Sequence, residues 1–106
     1  MTKIIGFDCD ETLEISNGPV SLKALMGLKT KGWKVGICGN WQLALIHLPN
    51  LDFYTGAPKG ENLKWRGKFF QKKIFIGNGP EDEEAARIAG WQFIHVNNFN
   101  QELENL

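Results

Sequence analysis

Short apolar runs alternate along the chain with polar stretches marked by glycine or proline. Residues 3–8, with Ile4, Ile5 and Phe7, predict a short buried strand that ends in acidic residues. Residues 14–18 are polar and turn-prone, and Pro19 is expected to open a helix at the first-turn position, where its missing N–H costs nothing. Leu22, Leu25, Met26 and the stem of Lys29 fall at helical spacing, and Gly32 closes that helix. Residues 34–38 predict a second strand, Gly39-Asn40 a turn, residues 41–48 a short helix stopped by Pro49, and residues 51–55 a third strand. The pattern is weakest over 56–73, where one helix is expected around 61–65. Residues 73–77 predict a fourth strand. Pro80 then starts a helix with acids in its first turn and a packing face of Ala85, Ala86, Ile88 and Ala89, ended by Gly90. Residues 91–96 predict a fifth strand, and the polar tail after Asn97 a frayed helix. Trp33, Trp65 and Trp91 read as core.

Strands alternating with helices imply right-handed crossovers and a mostly parallel sheet in an α/β domain. Such sheets gather their sites at the carboxyl ends of the strands. That rule selects three turns: 8–12, 38–40 and 77–82.

The 106 residues are read as one domain, 1–106, and 42% apolar content is enough for a single core. Lysine plus arginine balance aspartate plus glutamate at 12 each, which argues against a whole-protein electrostatic role on nucleic acid or acidic membranes. The balance is uneven locally. Lys59, Lys64, Arg66, Lys68, Lys72 and Lys73 crowd one segment, and residues 81–84 are all acidic. Both read as solvated surface, although the basic cluster's local charge would attract a phosphorylated substrate. Cys9 and Cys38 do not make a disulfide scaffold; two reduced thiols are expected, with a redox pair the alternative. No apolar run is long enough to span a membrane and no signal-peptide pattern opens the chain, so cytoplasm is the expected compartment, with no membrane partner.

Asp8 and Asp10 lie two apart just past the first strand, and in an extended segment their side chains share a direction. Two close carboxylates repel each other, and a divalent cation relieves that. Hard oxygen ligands with open positions suit magnesium, which keeps waters and binds substrate phosphate. A metal-neutralised aspartate can attack phosphorus, while a second aspartate protonates the leaving oxygen and then activates water. Asn78 and Asp82 put an amide oxygen and a carboxylate at another strand end, where capping a helix is the plainer role. Lys59 supplies a cation for the phosphoryl group. His47 and His95 have no partner at ligand spacing and read as structural. Trp41 follows the second turn, where it packs on the rim or stacks on a substrate ring.

In this order, these residues resemble the haloacid dehalogenase-like hydrolase superfamily. Residues 4–12, an apolar strand followed by Asp8-Cys9-Asp10-Glu11-Thr12, resemble its D-x-D-x-T motif. Residues 35–40 resemble the strand ending in S-G-N or T-G-N, with Cys38 where the hydroxyl belongs. Lys59-Gly60-Glu61-Asn62-Leu63 resembles the K-G-x-x-L form of the third motif. Residues 77–82 resemble G-D-x-x-x-D with Asn78 at the first acid, and Ala89-Gly90 follows at the family's distance. The resemblance implies a three-layer αβα, Rossmann-like fold with five strands in the order 5-4-1-2-3. It implies Asp8 as nucleophile and Asp10 as acid/base, with Lys59 completing the catalytic set. It implies Thr12, Cys38, Gly39, Asn40 and Lys59 as phosphate-binding residues, Thr12 also bracing its loop, with the amides of Gly39 and Asn40 serving where the Cys38 thiol donates weakly. It implies Asp8, the Asp10 carbonyl, Asn78 and Asp82 as magnesium ligands, weaker for the loss of one acid at Asn78.

Neither residues 13–18 nor the stretch before Lys59 has room for a cap domain. A capless site is open, which suits a bulky phosphorylated partner such as a phosphoprotein or a nucleic-acid end, or closure by a second copy in a homo-oligomer. The expected activity is a magnesium-dependent phosphatase. The alternatives are a non-catalytic binding or regulatory module, motivated by Cys38 and Asn78, and a phospho-accepting receiver, for which Asp52 lies too early in the third strand.

Overall fold

A computed structural model describes residues 2–106. Five parallel strands form one sheet: β1 (Lys3–Phe7), β2 (Lys34–Cys38), β3 (Phe53–Thr55), β4 (Lys72–Gly77) and β5 (Gln92–His95). Their order is β3-β2-β1-β4-β5, the expected order read from the other edge. The helices are α1 (Leu22–Thr30), α2 (Trp41–His47), α3 (Lys59–Arg66), α4 (Pro80–Ala89) and a short α5 (Phe99–Glu102). The architecture is therefore a three-layer, Rossmann-like α/β fold. Among the described residues no helix is long and apolar enough to cross a membrane.

Side-chain alternation along the strands sorts the two layers. Ile5, Phe7, Val35, Ile37, Ile74 and Ile76 face the layer of α1 and α2, where Leu25, Leu28 and Ala44 meet them and Phe99 from the tail completes the packing. Ile4, Cys38, Phe53 and Phe75 face α3 and α4, with Leu63, Ala85, Ala86 and Ala89 opposite. The apolar residues that α4 buries are all alanines. Gly36 leaves room on this face: a Cβ there would lie 2.1 Å from the Phe53 ring, which lies over the bare backbone.

The structure corrects several boundaries. Pro19 does not open α1. Val20 is held in a bridge to Leu13, and Ser21 caps the helix by accepting the Ala24 N–H at 3.0 Å. Met26 turns outward, leaving Leu25 and Leu28 as the buried face. The third strand starts two residues later than expected, and α3 extends to Lys59 and Arg66. The tail folds as short helical turns over 96–105, with Phe99 buried. Trp33 and Trp91 are core, but Trp65 is 68% exposed. Cys9 and Cys38 are free and buried, Cys9 in the α1–α2 layer and Cys38 in the α3–α4 layer.

Candidate active site

At the carboxyl edge of the sheet, Asp8, Asp10, Glu11, Lys59, Asn78, Gly79, Pro80, Glu81 and Asp82 line a cavity of about 570 Å³. Three segments distant in sequence converge there, following from the parallel topology: β1 and β4 are neighbours, so Asp8 and Asn78 leave adjacent strand ends.

Asp8 directly follows β1, its N–H donating to the Ile76 carbonyl at 2.9 Å. Its carboxylate is 6% exposed as part of the residue, and Asp82 is 3% exposed. Two buried carboxylates need a counter-charge. Lys59, the first residue of α3, provides it: Nζ lies 3.0 Å from Asp8 Oδ1 and 2.8 Å from Asp82 Oδ1. Desolvation works against this ammonium, but its hydrogen bonds to Asp82 and Asp8 outweigh that and hold it charged well above the usual lysine range. For Asp8, burial pushes the carboxyl up, the Lys59 hydrogen bond pulls it down, and Asp82 pushes it up again. The net position is above the ordinary aspartate value. Thr12, fully buried, donates its hydroxyl toward Asp8 Oδ2 at 3.5 Å. It braces the loop and does not line the cavity.

Asp10 is not extended with Asp8. It lies in the turn after the strand, exposed, and its Oδ1 accepts Ser16 Oγ–H at 2.8 Å and Asn40 Nδ2–H at 3.3 Å. The loop reverses sharply: Glu11 and Asn17 have φ of 60° and 65°. Glu11 N–H donates to the Ser16 carbonyl at 2.7 Å, bringing Ser16 back to Asp10.

The second segment is placed differently from the rest. Cys38 is fully buried, its Sγ 3.9 Å from the Gly56 carbonyl, and burial pushes its thiol up to about 12. The Gly39 N–H donates to the Thr55 carbonyl at 2.9 Å, continuing the β2–β3 ladder. Neither lines the cavity. Asn40 approaches through its side chain, on Asp10. Gly39 has another role: a Cβ there would lie 2.4 Å from Asp8 Oδ1 and displace the carboxylate. Trp41 is half-buried against the α1–α2 layer and lies outside the cavity lining. Asp52 precedes β3 at the opposite sheet edge, bound to Lys29 and to the Val35 N–H, so no receiver site forms there. His95 accepts the Asn97 N–H as a cap, and His47 is exposed.

Asn78 Nδ2 donates to the Asp10 carbonyl at 3.1 Å and reaches Glu11 Oε2 at 3.3 Å, while its N–H donates to Asp82 Oδ2 at 3.1 Å. Among the described residues no group of three or more His, Cys, Asp or Glu is spaced to hold a metal ion. The donor chemistry nevertheless fits magnesium: two carboxylates, a backbone carbonyl and, after a half-turn of the Asn78 amide, an amide oxygen border one cavity. Five carboxylates and one ammonium line that cavity, an excess that a divalent cation would offset.

Sequence reasoning missed Ser16, Glu11 and Glu81. Glu11 and Glu81 lie inside the quoted motifs at their variable positions, so only the fold shows them facing the cavity. Ser16 carries no spacing signal at all. Compared with protein-family models, curated proteins and solved structures, the chain finds no match in any of the three.

Proposed function

We propose that the chain is a magnesium-dependent phosphatase working through an aspartyl-phosphate on Asp8, as the resemblance to haloacid dehalogenase-like hydrolases implies. The observation that carries this reading is the convergence of Asp8, Asp82 and Lys59 around one open cavity, from three segments in motif order. Buried carboxylates neutralised by a single ammonium are costly for a purely structural role, where apolar residues pack better.

Asp8, Asp82, the Asp10 carbonyl and Asn78 would hold the magnesium, which supplies charge neutralisation for the phosphate and the carboxylates. Asp8 attacks phosphorus, and the ester oxygen departs with a proton from Asp10. Water then attacks phosphorus, Asp10 takes its proton, and phosphate leaves with Asp8 restored as carboxylate. Asp10 Oδ1 is held by Ser16 and Asn40, leaving Oδ2 to carry the proton. Lys59 would exchange part of its contact with the carboxylates for the incoming phosphate. The absence of any large insertion between Leu13 and Val20 or between β3 and α3 keeps the mouth open to a phosphate on a macromolecule. An intracellular, non-membrane setting belongs to the same reading.

The test is hydrolysis of an aryl phosphate with magnesium. Asp8→Asn is expected to lower the rate by more than about a thousandfold; equal rates in wild type and variant would sink the proposal.

One observation favours a second reading, a binding module on the same fold. Asn78 turns a donor, Nδ2, toward the Asp10 carbonyl, the atom assigned to the metal. The double substitution Cys38→Ser with Asn78→Asp separates the two. Wild-type turnover that the double variant raises modestly supports the enzyme, whereas a silent wild type that the double variant awakens supports the module.

A further inference from the structure

The neutral net charge conceals a bipolar molecule. Acids crowd the cavity at the carboxyl edge, while cations gather at the amino edge. β1, β2 and β4 begin at Lys3, Lys34 and Lys72, and the register sets Lys3 opposite Lys72 and Ile4 opposite both Lys34 and Lys73. Neighbouring strands run about 4.8 Å apart, so these four stems start within a band three strands wide; Lys34 and Lys73 turn to the α3 face with Ile4, while Lys3 and Lys72 turn to the other face, over the Trp33 ring. Arg66 and Lys68 add to it from the end of α3 and the turn that follows. Asp52, beside this band, is already engaged by Lys29.

Two aromatic side chains stand out of the same edge. Trp65 is 68% exposed and Phe69 84%. The Lys68 ammonium lies over both rings, 5.6 Å from each centroid. Burying neither ring leaves apolar surface in water without gain to the core.

We propose that this amino-edge patch is a docking surface for single-stranded nucleic acid. Unpaired bases stack on the open faces of Trp65 and Phe69 while Lys68 meets a phosphate, and Lys34, Arg66 and Lys73, on the same face of the sheet, carry the flanking backbone. A bilayer matches less well, because sinking both rings into lipid drags the Lys68 charge with them. A duplex offers no open base faces. Lys59 and Arg66 stand at the two ends of α3, roughly 10 Å apart along its axis. The patch is therefore a tether at the far edge and not a subsite of the cavity, and it holds whether or not the cavity is a phosphatase.

The experiment is fluorescence anisotropy of the full chain with a labelled oligothymidylate of about twelve nucleotides, within the site sizes such surfaces show. The same-length duplex and anionic phosphatidylserine vesicles serve as comparisons. Expected are binding at low salt, at least about tenfold preference over duplex, and about tenfold weakening by Trp65→Ala and by Phe69→Ala. Lys68→Gln should weaken binding and flatten its salt dependence by close to one ion, about 0.7 in the slope. Both rings are exposed, so circular dichroism of the variants should match wild type. No binding at low salt, equal affinity for duplex, indifference to loss of the rings, or binding to vesicles without binding to the oligonucleotide would each overturn the proposal.

Discussion

Lys59 shows how one side chain can decide the character of a site. Its ammonium lies within 3.0 Å of two carboxylates that the fold has removed from water. The motif names Lys59 as a cation for phosphate, but its pairing with Asp8 and Asp82 comes from α3 starting beside the ends of β1 and β4. Cys38 teaches the reverse. Its place in the second motif was legible, but not that its thiol turns into the α3–α4 layer, because alternation along β2 sets that direction. Asp52 yields a pH-dependent prediction. Burial opposes its ionisation, but the Val35 N–H and Lys29 outweigh that and hold its carboxyl below the ordinary value of 3.8. A depressed native value means stability present above about pH 4 and lost as the pH falls through it. Asp52→Asn is expected to cost about 1 kcal/mol at pH 7, with the gap to wild type closing below about pH 4. Chemical denaturation across pH checks this, and a gap that stayed constant down to pH 2 would contradict it.

Elements with a strong period were readable, and those with one buried residue were not. β2 and α4 fall where the alternation and the Pro80–Gly90 punctuation put them. In α3 only Leu63 is buried, so the helix carries too little apolar signal to fix its ends. Trp65 sits two residues beyond Leu63, about 200° around the axis, and so faces water although its size suggested core. Leu63 is the one inward anchor of the helix that presents Lys59. Leu63→Ala is expected to destabilise the protein by about 3 kcal/mol and to lower the proposed phosphatase turnover more than a surface change such as Lys64→Ala. Thermal unfolding together with the aryl phosphate assay tests both parts; full stability or unchanged turnover would show that α3 is positioned by something else.

At the scale of the whole molecule, strands alternating with helices made the parallel sheet legible, whereas its order was an expectation of the resemblance alone. With β1 at the centre of the sheet, Asp8 ends the central strand and the other segments close around it. The charge layout was invisible in a balanced composition. Parallel strands all place their first residues on one edge, and three of them begin with lysine. The loop carrying Ser16 was equally hidden, because its reversal depends on positive φ at Glu11, a residue type that rarely adopts it, as well as at Asn17. The central claim is covalent chemistry at Asp8. It is tested most directly by quenching the protein during aryl phosphate turnover, reducing any acyl phosphate with borohydride, and mapping the product by peptide mass. The account predicts conversion of Asp8, and of no other acid, to homoserine. Turnover with Asp8 unmodified, or with the label on another carboxylate, would contradict it.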